Sequence, residues 1–138
     1  MKSSRPRHTI TRLHFPTRAP VDDTGILPLQ PLDRASWLWH PDGGGQPPSF
    51  VRFRCAFRAT REPLVLHVTA DQNYALQLDG QLLSRGPDRS DLTHWRYASY
   101  QIKLAPGPHL LEALAWNVGD RAPLGHITWK PGFALCAE

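Results

Sequence analysis

The amino-acid sequence predicts an all-β protein, an antiparallel β-sandwich of the jelly-roll type. Short segments alternate apolar and polar residues with a period of two, which is the period of a half-buried strand. Turn residues separate these segments at intervals of roughly 8–12 residues, as in sandwiches. The 138 residues include 14 prolines and 10 glycines, which disfavour long helices. Together these features indicate several short strands joined by tight turns.

Each strand follows from its own stretch of alternation. In the first, Val51, Phe53, Cys55 and Phe57 share one face and arginines the other, so Cys55 is predicted to be buried. Asp79-Gly80 is typical of a two-residue type I′ hairpin turn. The last segment ends at Glu138 without a closing strand, which predicts an open edge or a truncated sandwich. The predicted strands are Phe50–Arg58, Leu64–Ala70, Tyr74–Leu78, Gln81–Leu83, Tyr97–Leu104, His109–Val118, Leu124–Trp129 and Phe133–Cys136.

The chain has the length of one domain preceded by a tail. Residues 1–33 are basic and rich in proline, and are predicted to form a largely disordered leader or linker with one short extended piece at Ile10–Phe15. Residues 34–138 are predicted to form the sandwich. No apolar run reaches the roughly 20 residues that span a bilayer, and no secretory signal is visible. We therefore expect a cytoplasmic protein without a membrane partner.

The charge and the cysteines narrow the function classes. The formal net charge is +4, but the basic excess lies mostly in the leader. A single-stranded nucleic-acid binder that uses the arginine face of the first strand is a minor alternative, because the aromatic residues of that strand point to the opposite face. The two cysteines, Cys55 and Cys136, have no zinc-ligand spacing. The sequence predicts no metal site, no cofactor and no nucleic-acid partner.

One polar loop stands out between the predicted strands. The run from Arg85 to Trp95 combines a Gly-Pro corner with arginines, aspartates and a tryptophan. Such a loop either contacts a ligand or another domain, or fixes itself to neighbouring strands. Arginine offers a planar fork of donors and aspartate a pair of acceptors, which suits sugar hydroxyls. The candidate ligand-binding or domain-docking residues are Arg85, Asp88, Arg89, Asp91, His94, Trp95 and Tyr97.

An ordered series of motifs from Trp37 onwards resembles the N-terminal β-sandwich of bacterial α-L-rhamnosidases, which are multidomain glycoside hydrolases. The series comprises ASWLW (35–39), FVRFR (50–54), ADQNYALQLDG (70–80), RGPDRSD (85–91), HWRY (94–97), LAWNVG (114–119) and PGF (131–133). It departs from the family pattern at Gln101, where an aspartate is expected. The resemblance implies a galactose-binding-domain-like fold. It also implies two partners for this domain. One is a separate (α/α)₆ barrel domain that carries the catalysis, and the other is carbohydrate, such as rhamnosides or plant or bacterial polysaccharides.

The carboxylates of this chain do not form a predicted catalytic pair. Inverting glycosidases hold two carboxyl groups about 6.5–9.5 Å apart, one of them protonated. Asp79 belongs to the turn, Asp71 is predicted to cap the backbone locally, and Glu112 lies on an exposed strand face. Asp88 and Asp120 each neighbour an arginine, which keeps a carboxylate ionised. Because no serine-protease-like motif is present either, we assign no catalytic residue.

Most of the remaining aromatic and histidine residues have a structural interpretation. Trp116, which alternates with Leu114, and Trp129 are predicted to lie in the core, whereas His67 and His109 are predicted to be exposed on strands. The favoured hypothesis is therefore a non-catalytic accessory domain of an α-L-rhamnosidase-like enzyme, which supports the catalytic barrel or binds carbohydrate weakly. The alternative is a stand-alone carbohydrate-binding module.

Overall fold

The computed structural model describes residues 9–13, 31–42, 46–88, 96–123, 128 and 130–138. Within these residues the chain forms eight β-strands and two short 3₁₀ helices, Pro31–Arg34 and Gly119–Arg121. None of these helices is long and apolar enough to cross a membrane. The strands are β1 (Thr9–Leu13), β2 (Ser49–Ala59), β3 (Leu64–Ala70), β4 (Asn73–Leu78), β5 (Gln81–Gly86), β6 (Ala98–Lys103), β7 (Gly107–Asn117) and β8 (Phe133–Ala137).

The strands form two four-stranded antiparallel sheets, which confirms the predicted all-β sandwich. Sheet A has the order β1-β6-β3-β8, and sheet B has the order β2-β7-β4-β5. The predicted turn at Asp79-Gly80 joins β4 to β5, and both of its residues have positive φ, at 50° and 77°. The predicted strand Leu124–Trp129 lies almost entirely outside the described residues and stays a prediction.

Residues 9–13, which lie within the predicted leader, form β1 and pair along their whole length with β6, from Thr9 opposite Lys103 to Leu13 opposite Ser99. These five residues are therefore an edge strand of sheet A rather than part of a separate tail. Residues 1–8 and 14–30 lie outside the described part of the chain, and the leader prediction for them stays a prediction.

The core fills the space between the sheets with side chains from both. Its fully buried members come mostly from the two strands that are central in each sheet, which is where an apolar side chain loses most of its contact with water. The largest apolar ones are Leu66, Tyr74, Leu76, Leu78 and Ile102.

A buried hydroxyl cluster joins the two sheets through this core. Tyr74 of β4 and Tyr100 of β6 each place their hydroxyl 2.9 Å from Oγ of Ser84 on β5. Burial raises the pKa of Tyr74 to about 12, although the hydrogen bond with Ser84 opposes the shift. Gly86 packs against the Tyr74 ring so closely that a Cβ there would lie 3.1 Å from the hydroxyl oxygen. The polar ends of both tyrosines are thus satisfied inside the sandwich.

The structure corrects two assignments of side chains to faces. Cys55 is exposed, because β2 is the edge strand of sheet B and its inner face is only partly covered. On β7, Leu111, Ala113 and Ala115 are buried on the inner face, and Leu114 and Trp116 point outwards instead of into the core.

The two strand histidines are also buried rather than exposed. His67 places Nδ1 2.7 Å from Oγ of Ser99. Burial lowers the pKa of His67, although the negative charge of Glu138 acts to raise it. His109 places Nδ1 2.7 Å from Oδ2 of Asp79 and Nε2 2.7 Å from the carbonyl oxygen of Ala105. A ring that faces two acceptors can donate from both nitrogens only as the imidazolium. Burial alone would lower the pKa of His109, but these hydrogen bonds outweigh it and raise the pKa above 6.5.

The His109 contacts predict a pH-dependent stability. Because the folded-state pKa is raised, the contribution of protonated His109 is fully present below about pH 6.5 and is lost as the pH rises through the folded-state pKa. We expect His109→Gln to lower the free energy of unfolding most at acidic pH, with a smaller difference from wild type at alkaline pH. Urea unfolding of both proteins from about pH 5 to about pH 9 measures this difference. A difference that grows with pH would contradict the imidazolium assignment.

Candidate functional site

The connections between strands are distributed unequally over the two ends of the sandwich. At one end, which we call the turn end, the chain makes short connections at residues 60–63, 79–80 and 104–106. At the other end of the sandwich, the antiparallel registers bring together the last residues of β3, β5 and β7 and the first residues of β4, β6 and β8. This loop end carries the connections at 71–72, 87–97 and 118–132, and the segment that enters β2. Loops held on a rigid sheet scaffold are the usual position of a functional site.

Asp71 is the centre of a buried polar network at the loop end. Its side chain is only 5% exposed, and its carboxylate accepts hydrogen bonds from the Thr128 hydroxyl, the Asn117 amide (3.5 Å) and the backbone N–H of Lys130 (3.3 Å). The backbone N–H of Asp71 donates to the carbonyl oxygen of Gly132 at 2.9 Å. The sequence predicted a local cap, but the carboxylate instead fastens the β7–β8 connection to the end of β3.

Gln72 and Asn117 extend this network along the same connection. Oε1 of Gln72 accepts the backbone N–H of Val118 at 2.7 Å, and Oδ1 of Asn117 accepts that of Gly119 at 2.8 Å. Gly119 has φ of 60°, and a Cβ there would lie 2.6 Å from Pro47, so this position requires glycine. The start of the β7–β8 connection is therefore held by buried side chains as well as by the backbone hydrogen bonds of the 3₁₀ helix Gly119–Arg121.

The predicted site residues are only partly brought together. Asp88 is exposed and lies 3.5 Å from the equally exposed guanidinium of Arg12 on β1. Tyr97 is half-buried, and its ring meets the His67 ring edge-on at a centroid distance of 6.1 Å. Arg85 is exposed on β5, away from these two, on the outer face of sheet B. Arg89, Asp91, His94 and Trp95 lie outside the described residues, so their predicted roles stay predictions.

Arg12 was missed by the sequence analysis, which assigned it to the leader. The available signal was the run of β-branched residues in TITRL, which favours a strand and overlaps the extended piece predicted at Ile10–Phe15. At the other side of the polar loop, the Thr69 hydroxyl donates to the carbonyl oxygen of Arg96 at 2.6 Å. The loop is thus attached at its start through Asp88 and Arg12, and at its end through Thr69.

Two large apolar side chains are exposed at the loop end. Trp37 is 51% exposed and Leu38 is 50% exposed. Both are held in place, because the Trp37 ring packs on Gly132, where a Cβ would lie 2.7 Å from it, and Leu38 exchanges two backbone hydrogen bonds with Phe133. A fixed, exposed tryptophan at the end of the sandwich that carries the loops is suited to contact with another molecule or domain.

A second exposed surface lies on the outer face of sheet B. It carries the most exposed large apolar residue of the described chain, Phe50, at 61% exposure. Phe50 shares this face with Arg52 and Arg54, which corrects the expectation that the aromatic residues of β2 point to the face opposite the arginines. An ion pair of 3.0 Å between Arg54 Nε and Glu112 Oε1 crosses it. We define the sheet-B outer face by Phe50, Arg52, Arg54, Asn73, Ala75, Gln77, Leu82, Arg85, Glu112, Leu114 and Trp116.

Within the described residues, no group of three or more histidine, cysteine or acidic side chains could hold a metal ion. The carboxylate of Asp71 is surrounded by the three groups that donate hydrogen bonds to it. This arrangement suits a structural role, because a carboxylate whose acceptor sites are filled is not available to move a proton.

The chain is similar to a segment of two solved rhamnosidase structures. It matches the GH78 family rhamnosidase of Bacillus sp. GL1 at 31% identity and a TM-score of 0.63, over 76% of this chain and 12% of that one. It matches the α-L-rhamnosidase of Streptomyces avermitilis, solved with L-rhamnose, at 19% identity and a TM-score of 0.53, over 96% of this chain and 13% of that one. The second match shows the fold alone.

These matches confirm the predicted resemblance to a domain of α-L-rhamnosidases, and the chain spans about an eighth of the length of each. No family model and no curated protein matches the chain.

Proposed function

We propose that this chain is a non-catalytic β-sandwich domain of an α-L-rhamnosidase-like glycoside hydrolase, and that its loop end braces the catalytic barrel domain. The observation that carries the proposal is the match to the Bacillus rhamnosidase, in sequence as well as in fold, over 76% of this chain. The parent protein would process carbohydrate, and this domain would hold its catalytic part in place.

The carboxylates of the described residues support a non-catalytic role. Asp71 accepts three hydrogen bonds, and Asp79 is engaged by His109 and by the backbone N–H of Leu110. Glu112 and Asp88 are paired with arginines. A glycosidase instead needs two carboxyl groups that face one substrate across a gap, one of them protonated.

The loop end has the properties of a docking surface. The network around Asp71 fixes the β7–β8 connection, and Trp37 and Leu38 expose apolar area beside it. A preformed surface loses little conformational entropy when it is covered, so its burial contributes more to the association. The ion pair between Arg12 and Asp88 lies at the same end and would belong to the polar rim of the contact.

A domain graft tests the proposal. In the Bacillus sp. GL1 rhamnosidase, the segment that matches this chain is deleted in one variant and replaced by this whole chain in a second. We expect the deletion to lower thermal stability and rhamnosidase activity, and the graft to restore most of both, because the same sandwich would again cover the catalytic part. Thermal unfolding and hydrolysis of an aryl α-L-rhamnoside measure the two effects.

Two controls sharpen this experiment. The chain by itself is expected to hydrolyse no rhamnoside, and a graft with Trp37→Ser should recover less stability than the unmodified graft. A graft that folds but is no more stable or active than the deletion variant would contradict the proposal.

A further inference from the structure

We propose that the sheet-B outer face binds an acidic oligosaccharide, with arginines on its carboxylate groups and with Phe50 and Trp116 against its sugar rings. The choice of a carbohydrate rests on the proposed function, whereas the face itself is defined by the geometry of the sheet. Nothing in the bracing role of the loop end requires this surface, which lies on a different side of the sandwich.

The distribution of side chains on β7 is the first argument. Its buried inner face carries Leu111, Ala113 and Ala115, whereas its outer face carries the large apolar residues Leu114 and Trp116. A strand whose outer face met only water would carry polar residues at these two outer positions. Exposed apolar residues that form a continuous patch mark a binding surface.

The aromatic residues of this patch are neighbours. Phe50 of β2 lies directly opposite Trp116 of β7, which in turn lies opposite Asn73 of β4. Directly opposed residues on one face have Cβ atoms about 5 Å apart, so the two rings can form one platform. Phe50 is largely exposed and Trp116 is half-buried, so the phenyl ring is free to move while the indole is supported by its neighbours. An aromatic platform with an amide beside it can contact both the C–H face and the hydroxyls of a sugar ring.

The next row of the face supplies the charge. Arg52, Leu114, Ala75 and Arg85 lie opposite one another across β2, β7, β4 and β5. The two arginines are separated by three strand spacings, roughly 14 Å, a distance that a few linked sugar rings can cover. Within the described residues, Arg54 is paired with Glu112, whereas neither Arg52 nor Arg85 forms an ion pair with a carboxylate. The face therefore carries an excess of positive charge that an anionic ligand would complement.

Carboxylate groups on a sugar chain fit this excess best. Arginine binds carboxylates through two parallel hydrogen bonds, and the apolar side chains between the arginines fit the C–H faces of pyranose rings. A neutral oligosaccharide would offer both guanidinium groups hydroxyl acceptors but no opposite charge. Single-stranded nucleic acid also combines negative charge with ring faces, so it serves as the competing outcome of the test.

The test is a titration of the whole chain with each of three probes. Binding is measured by isothermal titration calorimetry and by tryptophan fluorescence. The probes are an oligogalacturonate, the same oligosaccharide with its carboxyl groups methyl-esterified, and a single-stranded oligonucleotide. We expect saturable binding of the oligogalacturonate, at least about tenfold weaker binding of the ester, and weaker binding at high salt. No saturable binding of the oligogalacturonate would overturn the proposal. Equal affinity for the ester, or tighter binding of the oligonucleotide, would overturn it as well.

Substitutions then locate the site. We expect Arg52→Gln and Arg85→Gln each to weaken oligogalacturonate binding by about tenfold, because each removes one charged hydrogen-bond partner. Phe50→Ser should weaken it without changing the ratio between the acidic and esterified probes. Lys103→Gln is the matched control, because it removes one positive charge from sheet A and should leave binding unchanged. If Lys103→Gln weakened binding as much as Arg52→Gln, the effect would be one of net charge and the proposed site would be wrong.

The result of the oligogalacturonate titration is independent of the result of the domain graft. A graft that restores the rhamnosidase while oligogalacturonate does not bind would leave the bracing role standing and reject the sugar face. Binding of oligogalacturonate by a chain that fails as a graft would reject the bracing role instead.

Discussion

Replacement of Asp71 by alanine is expected to lower the free energy of unfolding by about 3 kcal/mol, since it removes an almost fully buried carboxylate that accepts three hydrogen bonds. Part of the loss comes from the Asn117 amide, which is itself buried and would lose one of its acceptors. The rest comes from the Thr128 hydroxyl and the Lys130 N–H, which would no longer hold the β7–β8 connection. Urea unfolding followed by tryptophan fluorescence measures the change.

Asp88→Ala is the matched control for Asp71→Ala. It removes a carboxylate from the same end of the sandwich, but Asp88 is exposed and its ion pair with Arg12 is open to solvent. We expect a change of no more than about 0.5 kcal/mol. Equal losses for the two variants would mean that the buried network around Asp71 contributes no more than a surface ion pair.

Phe133→Ala is expected to have the largest effect of any single truncation considered, a loss of about 4 kcal/mol in the free energy of unfolding. The Phe133 ring is buried, stacks on Phe53 at a centroid distance of 5.0 Å and meets the edge of the Tyr74 ring at 6.0 Å. Its removal would leave a cavity where sheet A meets sheet B, and the rings around it are held by their own strands and cannot collapse into the space. Denaturant unfolding again gives the value.

Phe50→Ala removes the same side chain from an exposed position. Because Phe50 is 61% exposed, its truncation opens no cavity, and we expect a loss of less than about 1 kcal/mol. The comparison separates burial from residue type. Losses of similar size at the two positions would contradict the assignment of Phe133 to the core.

The sequence predicts the strands of this fold well because their signals are local. Alternation along seven residues identifies β3, alternation along ten identifies β7, and the Asp79-Gly80 pair identifies the hairpin between β4 and β5 from two adjacent residues. The resemblance to rhamnosidases rests on the same kind of evidence, short motifs in a fixed order, and the solved structures confirm it.

The face that a strand turns to the core is a harder prediction. Alternation sorts residues into two faces, but it does not say which face is covered. Cys55 shares a face with three apolar residues and is still exposed, because its strand lies at the edge of sheet B. Trp116 was predicted to lie in the core, yet Ala115, opposite the buried Tyr74, takes the inward position beside it, and Trp116 points to the outer face.

Contacts between distant residues are the other part that the sequence could not supply. Asp71 and Thr128 are 57 positions apart, and His109 and Asp79 are 30 apart. Nothing in either neighbourhood indicates the partner, because such a pair becomes adjacent only when the strands are ordered into sheets. The polar loop in the sequence therefore indicates where the candidate site lies. The side chains that hold the site in place are identified only from the folded structure.

The pairing order of sheet A has a consequence for the synthesis of this protein. Of the described strands, β1 leaves the ribosome first, but its partner β6 begins only at Ala98. One of the two partners of β3 is β8, which extends to Ala137. In the described chain, the β4–β5 hairpin is the pairing whose two strands are made one directly after the other. Since long-range pairings form slowly, most of the sandwich assembles after translation of this segment is nearly finished. During that interval strand edges lack their partners, and the arginines of β2 oppose aggregation through their charge.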